Sequence, residues 1–366
     1  MNLSAYTLEL LEDIERRIDP ATEDDYYSQW KDFWDGKFAG QVFTPKRKSI
    51  TPPGVKLQNV HINDALHDTE LMLDFELEGL SKKLSRPSDA LGVRANYGTG
   101  IMTSLFGAPI FEMPRENKTL PTTRSFNDSD KIREILDSGI PSLTAGFGGD
   151  VLSFGERCSE IFDKYPKIKK YVKIYHPDTQ GPLDIAELLW GSEMFYEMYD
   201  DPDFVHDTLR LITDTYKAFL DKWYTIVPKE KELSVHWAHM HRGNIMIRLD
   251  SAMNLSCDFY NEFSKPYDRE LFDYFGGGCL HFCGRGDHYI DIVTEAKGLY
   301  GINLSQPHLN NMDKIFANTV GKGKKILALN SLGCNDYASR PDAVPSMICS
   351  SIDSTVQNYE RVKPVV

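Results

Sequence analysis

The chain has 366 residues, 41% of them hydrophobic, and a formal net charge of −13. That length suits a single barrel of roughly 250 residues with extensions better than two independent domains. The acidic balance argues against nucleic acid as a partner, and no run of about 18 apolar residues offers a membrane span.

The opening stretch, MNLSAYTLELLEDIERRIDP, is acidic and amphipathic and unlike a signal peptide. Cysteines stand at 158, 257, 279, 283, 334 and 349, too sparse in so long a chain for a secreted disulfide scaffold. A cytoplasmic protein with reduced thiols is expected. Residues 3–17 and 24–36 read as helices, and Tyr26, Tyr27, Trp30 and Trp34 form an aromatic face suited to a subunit contact, as in a homodimer. Residues 41–60 read as a polar connector containing prolines. Over 61–84 the apolar positions Ala65, Leu71, Met72, Phe75 and Leu80 recur with helical spacing, and Asn63 or Asp64 is placed to cap the start.

Beyond residue 86 the pattern changes to short β-branched or aromatic runs alternating with helical segments. Strands are predicted at 93–98, 171–177, 232–240, 244–250, 279–284, 299–305, 324–331 and 346–351. Helices fit at 182–199, 203–226, 257–274, 288–297 and 310–319. The alternation predicts an α/β fold, a (β/α)8 TIM barrel over 86–366 with a helical extension over 1–85 packed on it. Two connections are irregular: 99–170 must hold extra helices and a functional loop, and 240–244 is too short for a crossover helix.

The segment CLHFCG at 279–284 carries the most chemistry. On a strand, side chains alternate, so Cys279, His281 and Cys283 share one face while Leu280 and Phe282 take the other. In a barrel the apolar pair suits the helix side, the polar trio points inward, and Cys283 lies at the C-terminal end where barrel active sites form. Zinc accepts thiolate and neutral imidazole ligands, and a catalytic site keeps one position open. His281 and Cys283 supply two ligands, and Cys349 or Cys334, both at late strand ends, is the candidate third.

Other polar groups cluster at predicted strand ends. His239 and His241 in VHWAHMHRG, and Asp250 at the end of the following strand, are candidate acid–base groups. Asn96, Tyr97, His176, Asp178, Gln180, Asn303 and Asn330 are candidate substrate contacts; the plain alternative is hydrogen bonding or packing for the asparagines and Tyr97, and a loop held in shape by Pro177 and Pro182 for the other three. The glycines of TAGFGGD lack the strand and helix context of a dinucleotide site.

Taken in order, RANYGTGIMTSLFGAP (94–109), HPDTQGPLDIAELLWG (176–191), DDPDFVHDTLRLITD (200–214) and SAMNLSCDFYNEFSKPYDRELFDYFGG (251–277) followed by HFCG resemble the uroporphyrinogen decarboxylase superfamily. The likeness is to its decarboxylase-like and corrinoid methyltransferase branches. It implies a (β/α)8 barrel with its site at the C-terminal mouth. In the methyltransferase branch it further implies a zinc ion held by a His, a nearby Cys and a distant Cys, which activates a thiol for methyl transfer with a corrinoid, carried where present on a partner protein. His281 and Cys283 match the first two ligands, and Cys349 or Cys334 stands for the third. The decarboxylase branch carries an arginine-rich segment for its carboxylated substrate, and here RPSDALGVR offers only Arg86 and Arg94. A zinc-dependent methyltransferase is therefore the leading expectation. A metal-independent decarboxylase or lyase, and a non-catalytic binding protein on the same barrel, are the alternatives.

Overall fold

The computed structural model describes residues 3–351. Its strands, in chain order, are β1 (Val42–Phe43), β2 (Gly92–Val93), β3 (Ile110–Phe111), β4 (Thr122–Thr123), β5 (Lys173–Ile174) and β6 (Leu233–His236). They continue as β7 (His239–Arg242), β8 (Ile245–Arg248), β9 (Gly278–Phe282), β10 (Leu299–Leu304), β11 (Lys325–Leu329) and β12 (Ile348–Ser350). Six of these form one parallel sheet in the order β1-β12-β11-β10-β9-β8. β2 and β5 form a separate parallel pair.

Helices cover the sheet, and the fold is α/β. A side chain spans one gap between the ladders: the Met246 N–H of β8 donates to His176 Nε2, just past β5, at 3.0 Å. The arrangement is compatible with barrel-like closure, although the ladders leave joints open between β1 and β2 and between β5 and β8.

The alternation expected from the sequence sets the layers. Ile245, Ile247, Leu280, Phe282, Ile302 and Ile348 pack into the large core shared with the helices. Met246, Cys279, Leu327 and Cys349, on the opposite parity, belong to a second, inner cluster. That inner cluster is filled by the helix Pro20–Trp34, whose Tyr26, Trp30 and Phe33 are fully buried. Trp34 donates its indole N–H to the Met240 carbonyl at 3.0 Å. Of the aromatic face read as a subunit contact, Tyr26, Trp30 and Trp34 are therefore packed inside the chain, because a twisted parallel sheet leaves an apolar inner face that must be covered, while Tyr27 stays half-buried with its hydroxyl on Glu232.

The expected strand at 232–240 is instead an antiparallel hairpin of β6 and β7, with His236 opposite His239. Trp237 turns the chain with a left-handed φ of 54°, which a single continuous strand could not contain. Val235 and Met240 join the inner cluster, so the hairpin lies against the inner face of the sheet. This resolves the short 240–244 connection, which joins a hairpin arm to β8 and needs no crossover helix.

Smaller departures have local causes. The helical segment at 61–84 splits into Ile62–Ala65 and Thr69–Lys83, the second capped by Asp68, which accepts from the Glu70 and Leu71 N–H groups at 2.7 and 3.1 Å. The segment at 257–274 breaks at Ser264, with Pro266 starting the next helix. That at 182–199 breaks at Gly191, whose φ is 95°. Residues 99–170 hold the helices Ile101–Leu105, Ser129–Ser138, Gly148–Phe162 and Pro166–Tyr171 and the antiparallel pair of β3 and β4. The polar connector contains β1, which pairs with β12. No helix among the described residues is long and apolar enough to cross a membrane.

Candidate metal centre

The parallel register of β8 and β9 pairs Arg248 with His281. Two residues further along each chain, Asp250 and Cys283 meet: the Cys283 N–H donates to Asp250 Oδ1 at 2.5 Å. Cys283 Sγ lies 3.4 Å from His281 Nε2, and Asp250 Oδ1 lies 3.7 Å from the same nitrogen. Asp250, His281 and Cys283 place their ligand atoms within 4.8 Å of one another. Ligands bound tetrahedrally at about 2.0–2.3 Å sit about 3.3–3.8 Å apart, and both measured separations fall in that interval.

The surroundings orient this set. His281 Nδ1 is 2.5 Å from Asn303 Oδ1 on β10. A carboxamide oxygen only accepts, so Nδ1 carries the proton and Nε2 presents its lone pair toward Cys283 and Asp250. Asn303 is itself fixed by its Nδ2 donating to the Leu327 carbonyl of β11 at 3.1 Å. Burial, reinforced by the positive charge of Arg248, holds the His281 imidazole below its usual range, so it is neutral at pH 7. Burial and then the charge of Asp250 push the Cys283 thiol up to about 11. Ser305 donates its hydroxyl to Cys283 Sγ at 3.1 Å.

Gly284 closes the strand with a φ of 72°, and a Cβ there would meet Met253 Sδ at 2.7 Å. The chain turns away at that point because the residue is glycine.

Beside the set lies a buried ionic network. Arg248 donates bidentately to Asp178 through Nε at 2.8 Å and Nη2 at 2.7 Å. Its guanidinium sits 4.2 Å above the Trp237 ring, and the Trp237 and His281 ring centroids are 5.0 Å apart in a T-shaped arrangement. Burial alone would raise the Asp178 carboxyl, but Arg248 and Arg94 outweigh it and hold the group low. Gln180, at a φ of 62°, donates to Asp178 at 2.5 Å. Gly181 follows it at the point where the chain presses against the Arg248 carbonyl, too close for a side chain. Gln180, Asp184, Asp250, Ser251 and Asn254 line a groove of about 480 Å³ that touches the set at Asp250.

The expected site residues therefore divide. His281, Cys283 and Asp250 come together, with Asn303 behind His281 and Asp178 and Gln180 alongside. His176 is buried with both ring nitrogens engaged, Nδ1 on the Pro177 carbonyl at 2.8 Å and Nε2 on Met246 N. His239 and His241 lie on β7: the first has its ring 6.1 Å from Trp30, and the second is fully buried with Nδ1 on the Arg242 carbonyl. Asn96 donates to Glu76 at 3.1 Å. Tyr97 packs in the helix-side core, 5.3 Å from Phe147. Asn330 caps the helix Ser331–Ala338, accepting from the Gly333 N–H at 2.8 Å.

Neither candidate third cysteine is in the ligand group, where Asp250 stands. Cys349 is buried in the inner cluster with Phe43 and Trp30. Cys334 donates to the Leu329 carbonyl at 3.3 Å. Arg248 and Trp237 were not expected. Arg248 shares strand parity with Met246 and Asp250, and that was its signal. Trp237 had none, because its place depends on the hairpin turn.

No family model matches the chain, and no match is found among curated proteins. Among solved structures, the fold is similar to that of a methyltransferase from Methanosarcina mazei. The TM-score is 0.59 and the identity 15%, covering 84% of this chain and 83% of that one.

Proposed function

We propose that the protein is a zinc-dependent methyltransferase that moves a methyl group between a corrinoid, or another methylated donor, and a thiol. His281, Cys283 and Asp250 would hold the metal. The observation that carries this reading is the spacing of the ligand atoms, 3.4 Å from sulfur to imidazole nitrogen and 3.7 Å from that nitrogen to carboxylate oxygen. The fold similarity to a solved methyltransferase supports it, as does the sequence resemblance. We further read the strands β1, β2, β5 and β8 to β12 as the eight staves of a barrel-like fold, with the residues before 86 contributing β1 and the helix that fills the inner face.

The donor set, one neutral imidazole, one thiol and one carboxylate, suits zinc and leaves a fourth position for a ligand. A zinc ion there would lower the pKa of a bound thiol, so that it is presented as a nucleophilic thiolate at neutral pH. The chain's own part is orientation. Asn303 keeps the proton on His281 Nδ1, and the Cys283 N–H and Asp250 hold each other in place. Ser305 donates toward the sulfur, and Trp237 with Arg248 closes one side against water. The acceptor would enter along the groove at Gln180 and Asp250.

A metal-independent decarboxylase or lyase is the second reading, favoured by one observation. Asp184 is buried, accepts from the Asp250 and Ser251 N–H groups at 2.9 and 2.8 Å, and has its pKa raised by burial and then by Asp250, as in a carboxyl that keeps a proton for catalysis.

Elemental analysis of protein purified without chelator or a His-tag column separates the two readings. The first expects about one zinc per chain, lost in the His281→Ala/Cys283→Ser variant, with methyl transfer from methylcorrinoid to a thiol by the loaded protein. Absence of metal after zinc is added back would overturn it in favour of the lyase.

A further inference from the structure

A second cavity, of about 640 Å³, lies between the helix Thr69–Lys83, the ends of β2 and β5 and the turn of the hairpin, and Lys83, Gly92, Tyr175 and Trp237 are among the residues that line it. Lys83 is half-buried there. Its Nζ donates to the Gly92 carbonyl at 2.9 Å and to the Trp237 carbonyl at 3.1 Å, so both of its partners belong to the cavity wall. Among the described residues it has no carboxylate in ion-pair contact.

Two carbonyl acceptors suit a neutral amine. An ammonium carries three N–H donors and would leave one of them without a protein acceptor, whereas the free base has two N–H groups, one for each carbonyl, and a lone pair left over. The charges nearby do not restore the ammonium. Burial, joined by Arg94 and Arg86, pulls the Lys83 pKa below the usual amine range, and the opposing pull of Glu76 and Asp89 is the smaller. Phe75, Leu120 and Tyr175 add apolar wall to the same cavity.

We propose that Lys83 is a nucleophilic amine that captures a small uncharged aldehyde in this cavity as an imine. The nitrogen lone pair attacks the carbonyl carbon and forms the C–N bond, both amine hydrogens leave with the carbonyl oxygen as water, and C=N replaces C=O with no change in oxidation state. The lining carries carboxylates at Glu76, Glu78 and Asp89 beside the cations Arg86 and Arg94, so neither sign of charge is favoured in a ligand, while the apolar wall suits a small hydrocarbon body. The inference is separate from the metal reading, because the state of this amine is read without zinc or methyl transfer.

The test treats the full chain at pH 7.5 with limiting benzaldehyde and sodium cyanoborohydride, which reduces an imine to a stable benzylamine, and locates the label by peptide mass mapping. Lys82 and Lys118 are exposed and line the same cavity, so they serve as internal controls. Lys83 should be benzylated about tenfold faster than either, since each unit by which an amine's pKa falls gives about tenfold more free base near neutral pH. Lys83→Arg keeps donors for both carbonyls and cannot form an imine, so the fast label should disappear from that chain. No label on Lys83, labelling no faster than at Lys82 and Lys118, or an equally fast total uptake in a folded Lys83→Arg chain would each overturn the proposal. If the variant does not fold, the wild-type map decides alone.

Discussion

Replacing Asn303 by leucine tests the proposed metal centre without touching a proposed ligand. In the wild type, Asn303 Oδ1 takes the His281 Nδ1 proton at 2.5 Å, and Nδ2 is tied to the Leu327 carbonyl at 3.1 Å, so the amide has one orientation. Leucine has similar bulk and no acceptor. It leaves the buried imidazole free to rotate or to carry its proton on Nε2, the nitrogen that faces Cys283 Sγ at 3.4 Å. Removing the group behind a ligating histidine typically costs about 10–100-fold in metal affinity, or roughly 1.4–2.7 kcal/mol. Competition for zinc against a chromophoric chelator at pH 7.5 (about one unit above the free-imidazole range) measures that loss directly. Cobalt substitution adds a second reading, since the intensity of its visible bands reports whether the ligand geometry is kept. Full wild-type affinity in a folded Asn303→Leu protein would refute the reasoning, because the hydrogen bond that fixes the tautomer would then be irrelevant to the site.

Asp178→Asn should destabilise the chain by about 3–5 kcal/mol in urea titration, since it leaves buried Arg248 and Arg94 without a full counter-charge. Because the Asp178 carboxyl is held low in the fold, its stabilising effect is present above the unfolded carboxyl range and is lost as pH falls through the folded value. Asp268 behaves in the opposite way. Burial pushes it up to about 7, so between about pH 4 and 7 this carboxyl is the more ionised in the unfolded chain, and its own contribution to stability falls by about 1.4 kcal/mol per unit as pH rises. Asp268→Asn should remove that contribution, so that the variant's urea midpoints fall less steeply with pH across the range than the wild type's. Trp30→Ala should cost about 3–5 kcal/mol without changing the mass measured by light scattering, as expected of a side chain buried inside its own chain. Cys349→Ser should leave zinc content unchanged while Asp250→Asn lowers it, and the reverse pattern would restore a distant cysteine as the third ligand.

Most of the sheet strands were readable from the sequence because they satisfy two conditions at once. Residues 279–284, 299–305 and 324–331 are short, mostly apolar runs, and their alternate positions separate two environments that the structure keeps apart, as with Leu280 and Phe282 against Cys279. β1 escaped because a two-residue strand in a polar, proline-containing stretch has no period to detect. The hairpin at 233–242 escaped for another reason. Its residues alternate as a strand would, and the turn is made by Trp237 in a left-handed conformation, where glycine or asparagine would have announced it. In the site, His281 and Cys283 could be placed on one face from spacing alone. Asn303 was visible only as a polar residue in an apolar run, and its role depends on the register that pairs it with His281.

That register also accounts for the grouping of Asp250, His281 and Cys283. In a parallel ladder, residues level with one another on adjacent strands carry neighbouring side chains of the same parity. β8 and β9 are adjacent and pair Arg248 with His281, so the next inward positions, Asp250 and Cys283, must lie side by side just beyond the strand ends, and the 2.5 Å contact between them shows that they do. Cys349 sits on β12, three places away across β10 and β11. Reaching His281 from there means crossing the inner space, which Trp30, Phe33 and Phe43 occupy around it. A chain that fills its inner face with an aromatic helix and a hairpin thereby keeps its last-strand thiol away from His281 and Cys283, and the neighbouring strand's carboxylate is the group that local geometry brings to them.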